Sequence, residues 1–144
     1  MAYTEGSPIK LVIVGGIETV EAVSPAAEEH GLLLVMQRSA RGAIGEIGLH
    51  GVGVAGVVIN MENRPHVDDD YPLSLFIVGL RSDIDPPVPL ALFCGQSTIA
   101  STRHSYNLGE PTGTGDFAAL QWPPVDEEVR GWLANAVQVK VPAN

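Results

Sequence analysis

The chain has 144 residues, the length of one domain, and 45% of them are hydrophobic, enough for a substantial core. With 8 basic against 17 acidic side chains it carries a formal charge of −9, and Lys10, Arg38, Arg41, Arg64, Arg81, Arg103, Arg130 and Lys140 form no run, so direct contact with nucleic acid is not expected. No apolar run reaches the roughly 18–20 residues that cross a bilayer, no basic-then-apolar leader opens the chain, and the lone Cys94 excludes an internal disulfide, which together point to a cytoplasmic protein without membrane contact.

Along the chain, apolar runs alternate with stretches compatible with helix. Residues 1–8 read as a flexible N-terminus, and 9–14 as a first strand ended by Gly15-Gly16. Residues 18–30 predict a helix stopped by Gly31; Pro25 inside it predicts a kink or a fresh start at Ser24-Pro25. A second strand is expected over 32–36. A looser helix follows over 41–50, with Ile44, Ile47 and Gly48 on one side. The third strand is 54–59. Residues 72–81 predict an apolar helix introduced by Asp68, Asp69 and Asp70, whose carboxylates favour a helix N-terminus. The fourth strand is 88–93, a helix spans 98–108, and a short fifth strand covers 117–120. The plainest helix is 125–137, with Val129, Trp132, Leu133 and Ala136 on one face and Asp126, Glu127 and Glu128 at its start. Residues 138–144 read as a tail, either disordered or adding an edge strand.

Continuous apolarity, rather than alternation, marks strands covered on both faces. Five such strands separated by helices predict an α/β three-layer sandwich around a five-stranded parallel sheet, forming one domain over 9–137. Chemistry in such sheets gathers at the carboxyl ends of the strands. That directs attention to Gly15-Gly16, Gln37-Arg38-Ser39, Asn60-Met61-Glu62, Cys94-Gly95-Gln96-Ser97 and Gln121-Trp122-Pro123.

The run Val57-Val58-Ile59-Asn60-Met61-Glu62-Asn63-Arg64-Pro65 resembles a segment of bacterial response-regulator receivers, in which apolar residues lead to the phospho-accepting aspartate and a short loop with a proline. Residues 68–81 are similar to the helix that follows in receivers, and 87–93 to their fourth strand. Leu120-Gln121-Trp122-Pro123-Pro124 resembles their strand-end lysine–proline motif. The resemblance implies a receiver-like, flavodoxin-like fold. It also implies a site stripped of its charges. Receivers hold magnesium with paired acids where this chain has Gly15-Gly16, and Asn60 stands in place of the aspartate. Cys94 or Gly95 takes the place of a hydroxyl, with Ser97 and Thr98 close by, and Trp122 that of the lysine. Magnesium prefers carboxylate oxygens, and phosphoryl transfer depends on cationic neutralisation. The degenerate site of Gly15, Gly16, Asn60, Cys94 and Trp122 is therefore expected to hold no metal and no cofactor, and to carry no catalytic residue.

Other groupings have plainer readings beside the sharper ones. Gly15-Gly16 could cradle a phosphate, but the three spaced glycines of a dinucleotide site and the lysine of a phosphate loop are absent, which leaves a tight turn. Cys94 as a nucleophile needs a lowered pKa and a neighbour such as His104; otherwise it is a buried structural thiol. Glu62, His66, Asp68, Asp69 and Asp70 match neither calcium nor zinc spacing and read as a solvated loop, and His30, His50, His66 and His104 show no paired ligand spacing. Trp122 either fills the space left by the missing acids or anchors a partner, while Trp132 is core or interface.

The function expected is a phosphorylation-independent signalling or regulatory module acting through protein–protein contact, not an enzyme. Its partner would be another signalling protein or a second copy of the chain. The contact face is expected around 98–108 and 117–137, with Ser97, Thr98, Trp122, Pro123 and Trp132 as ligand or interface residues. Two alternatives stay open: a small-ligand sensor with a pocket at Gly15, Gly16, Asn60, Cys94 and Trp122, and a flavodoxin-like nucleoside or NAD glycosidase using Glu18 or Glu62.

Overall fold

The computed structural model describes residues 9–48, 53–63, 73–84, 87–108 and 116–140. The elements run β1 (Lys10–Val14), α1 (Ile17–Glu29), β2 (Leu33–Gln37), α2 (Ala40–Ile47), β3 (Val54–Asn60), a 3-10 turn (Met61–Asn63) and α3 (Leu73–Val78), which passes into a π-turn (Gly79–Asp83). They continue with β4 (Leu90–Cys94), α4 (Ile99–Ser105), β5 (Phe117–Gln121) and α5 (Asp126–Lys140). The strands form one five-stranded sheet in the order β2-β1-β3-β4-β5. Every pairing is parallel, with Val14 opposite both Gln37 and Ile59, Asn60 opposite Phe93, and Cys94 opposite Gln121.

Alternation along each strand divides the core between the two faces. Val12, Val14, Val57, Ile59, Leu90 and Leu92 meet α2 and α3, while Leu11, Ile13, Val58, Ala91 and Phe93 meet Val23, Ala26 and Ala27 of α1 and Val129, Trp132, Leu133 and Ala136 of α5. All seven residues of β3 are buried, as a strand covered on both faces requires. Each such aliphatic side chain taken from water contributes about 1.5–3 kcal/mol. The result is the α/β three-layer sandwich with a five-stranded parallel sheet. Among the described residues, no helix is long and apolar enough to cross a membrane.

Several element ends differ from the sequence pattern. α1 continues through Pro25 without restarting. Pro25 faces solvent, and the buried Val23, Ala26 and Ala27 on either side hold both halves against the sheet. The helix stops at Gly31, whose φ of +65° suits glycine. α2 is shorter than expected, ending at Ile47 with Gly48 as the residue that caps it. α3 gives way after Val78 to the π-turn, so the helix expected over 72–81 is not regular throughout. α4 covers only Ile99–Ser105. α5 runs on to Lys140, so residues 138–140 are helix rather than tail or edge strand. Residues 1–8, 141–144, His50, His66 and the triple aspartate 68–70 lie outside the described residues.

Candidate functional site at the carboxyl edge of the sheet

Because all five strands are parallel, Gly15, Gly16, Asn60, Cys94 and Trp122 stand along one edge of the sheet. Asn60, the last residue of β3, is fully buried and engaged at both ends of its amide. Its Nδ2 donates to Thr19 Oγ1 at 2.9 Å, and its Oδ1 accepts from the Glu62 backbone N–H at 2.9 Å. Thr19, also fully buried, comes from the first turn of α1, which the Gly15-Gly16 turn delivers over the sheet edge. Gly15 N–H donates to the Gln37 carbonyl at 3.2 Å, and the Gly16 carbonyl accepts from Thr19 and Val20, so the glycine pair builds a strand-to-helix turn.

Glu62 turns toward the next strand end. Its Oε2 accepts from Thr98 Oγ1 at 3.0 Å, and a Cβ added at Gly95 would stand 2.9 Å from its Oε1. On the far side, Trp122 N–H donates to the Cys94 carbonyl at 2.9 Å, and its ring meets Phe93 edge-on at 5.1 Å between centroids. The Trp122–Pro123 peptide is cis. Trp122 is half-buried against the core layer beneath α1 and α5. Gln121 ties this corner to α5: its backbone N–H and its Nε2 each donate to the Glu128 carboxylate at 3.0 Å.

No protein-family model matches the sequence, and neither does any curated protein. Solved structures do match in fold. One is an uncharacterised protein from Neptuniibacter caesariensis, at TM-score 0.61 and 16% identity, covering 94% of this chain and 96% of that one. Another is a candidate response regulator from Chloroflexus aurantiacus, at TM-score 0.60 and 17% identity, covering 90% of this chain and 98% of that one. The chain has a receiver-like fold. The same architecture is shared with an adenylate cyclase structure from Rhodopirellula baltica, at TM-score 0.61 and 10% identity, covering 92% of each chain.

Receivers as a class imply a magnesium ion at this strand edge, and the residues present do not fit one. Gly15 and Gly16 offer no carboxylate, and Asn60 presents a neutral amide already engaged at both ends. Among the described residues no group of three histidine, cysteine, aspartate or glutamate side chains could hold a metal ion. Glu62, the carboxylate nearest Asn60 in the chain, is turned to Thr98.

Cys94 is 1% exposed. Burial pushes its thiol above the ordinary value of 9.0; Thr102 and Arg103 pull the other way, and the Glu62 charge adds to the rise. A raised pKa keeps the thiol protonated, which suits a structural cysteine better than a nucleophile. His104 is exposed on α4. Gln96, Ser97 and Pro123 are exposed, and Trp132 is buried with Nε1 donating to the Asp116 carbonyl at 2.9 Å. Glu18 is exposed at the start of α1. A cavity of about 260 Å³ lies away from the strand-end residues, between α2 and α3, lined by Ile44, Ile47, Phe76, Leu80, Asp83 and Ile84 among others. Sequence reasoning missed Thr19 and the pairing of Glu62 with Thr98. A hydroxyl one turn into the helix after Gly15-Gly16 was the available signal for the first; the second carried none.

Proposed function

We propose that this chain is a signalling module of receiver-like fold that works without phosphorylation, by contact with another protein. The observation carrying this is Asn60: the position resembling the phospho-acceptor is a neutral amide, fully buried, hydrogen-bonded at both ends. An amide has no lone pair basic enough to take a phosphoryl group, and the neighbouring glycines give no acid to recruit a metal. The chemistry is gone while the scaffold that would display its result is kept. In this reading the chain is not an enzyme.

The contact face is the one built on β5, an edge strand flanked by α4 on one face of the sheet and α5 on the other. Exposed residues there include Ser101, His104, Gln121, Pro123 and Val125. A second copy of the chain is a partner of the same kind.

The test is an NMR titration of the labelled protein with beryllofluoride and magnesium. Amide signals of residues 15, 16, 60, 62 and 98 are expected to stay in place. Saturable shifts centred on Asn60 would reject the proposal.

A further inference from the structure

α4 has no buried residue, so a few contacts at its edges set its position on the sheet. Ile99, Tyr106 and Leu108 pack partly buried against the core. Arg103 Nη2 donates to the Ala119 carbonyl at 3.1 Å, while its Nε is buried with no hydrogen-bond partner. The turn leading into α4 is gripped from outside its own neighbourhood. Glu62, from the 3-10 turn after β3 and 36 residues away in the chain, accepts from the Thr98 hydroxyl at the end of that turn. The other oxygen of the same carboxylate lies over Gly95 at the turn's beginning, where a Cβ would meet it at 2.9 Å. One side chain thus touches both ends of the β4–α4 connection.

We propose that Glu62 is a latch: its carboxylate fixes the β4–α4 turn and thereby sets the docking of α4. An intrachain carboxylate supplies the anionic acceptor for the Thr98 hydroxyl, and no added group is needed to supply it. The latch rests on the phosphorylation-independent reading above and says what holds the contact face in its place. Gly95 has the small size the arrangement needs, since any side chain there displaces the carboxylate. The Thr98 side chain makes no capping hydrogen bond to α4, but its hydroxyl also lies 3.3 Å from the Gly95 carbonyl, so Glu62→Ala removes the latch alone while Thr98→Val removes that contact within the turn as well.

Amide hydrogen exchange on the full chain tests this, comparing α4 with β3 and β4. Glu62→Ala and Thr98→Val are each expected to speed exchange across Ile99–Ser105 by about three- to tenfold, the range of one net hydrogen bond, with β3 and β4 unchanged. The double variant should exchange no faster than the faster single, because both remove the same contact. Thr98→Ser should stay near wild type. Gly95→Ala should match Glu62→Ala, since its methyl pushes the carboxylate away while both partners remain; its backbone lies outside the left-handed region, so alanine is tolerated there. Exchange in α4 within twofold of wild type for Glu62→Ala, or a double variant equal to the product of the singles, overturns the latch. The two readings fail separately. A wild-type response to beryllofluoride rejects phosphorylation independence whatever Glu62→Ala does, whereas a silent wild type with an unmoved α4 in Glu62→Ala rejects the latch alone.

Discussion

Gly56 lies within β3 where Trp132 of α5 crosses the sheet. A methyl group there would stand 3.0 Å from Trp132 Cη2 and 3.2 Å from the Pro89 carbonyl oxygen. Neither neighbour has room to yield. Trp132 is 3% exposed and anchored through Nε1, and the Pro89 carbonyl accepts from Val57 N–H at 2.9 Å. Alanine gains roughly 0.4–1 kcal/mol by restricting the unfolded chain, but overpacking a fixed site costs about 1–3 kcal/mol, so the second effect wins. Gly56→Ala is expected to lower stability by about 1–2 kcal/mol in urea denaturation. In a Trp132→Phe background, which removes the crowding ring edge, the added methyl should cost much less; equal losses in both backgrounds would rule out the steric account. The sequence displayed Trp132 on an apolar helix face, but the strand residue it presses on looked like any other position of β3.

Among the elements, the π-turn shows what local pattern leaves out. Arg81, in that turn, donates from Nη1 to the Val88 carbonyl at 2.8 Å and pairs with Asp116 through both nitrogens, at 3.2 and 3.1 Å. Its guanidinium lies 5.1 Å from the centroid of the Phe117 ring. One side chain therefore ties the end of α3 to the starts of β4 and β5. The strands were legible within one or two residues from their continuous apolar runs, which are buried on both faces in β1, β3 and β4, whereas the edge strand β2 leaves Leu33 and Met36 exposed. The end of α3 was not, since the partner that draws Arg81 is 35 residues away and no helical period records it. Lost hydrogen bonds to a charged group cost about 1.5–3 kcal/mol, and part of the ion pair is screened because the two side chains keep 21% and 25% of their surface in solvent. Arg81→Met, which keeps the apolar stem, is expected to destabilise by about 1–2 kcal/mol. Arg81→Lys should recover less than half, because an ammonium cannot reproduce the forked geometry. Chemical denaturation of the two variants reads this, and a full rescue by lysine would reduce the tether to simple charge.

For the whole molecule, the convergence of the strand ends was legible because parallel strands have no other arrangement. The pairing across that edge was not: Asn60 meets Thr19 over 41 residues and Glu62 meets Thr98 over 36, separations that only the folded sheet closes. The charge of −9 was visible at once, and the fold concentrates part of it. Glu18, Glu21, Glu28 and Glu29 are exposed on α1, and Asp126 and Glu127 on the adjacent α5, so two neighbouring helices present like charge from one side of the sheet. Arg130 bridges Glu29 and Asp126, which offsets part of the repulsion. At 0.01 M salt the screening length is about 30 Å and these carboxylates act on one another across the whole face; at 0.15 M it is about 8 Å. Raising sodium chloride between those limits is expected to screen this repulsion and stabilise the fold by roughly 0.5–1 kcal/mol, about 2–4 °C in Tm for a chain of this size. Replacing Glu21 and Glu28 by lysine should flatten that dependence by converting repulsion to attraction with their neighbours. A Tm that falls as salt is added would instead show that ion pairs such as those of Arg130 and Arg81 outweigh the repulsion, and that the acidic face is balanced within the chain.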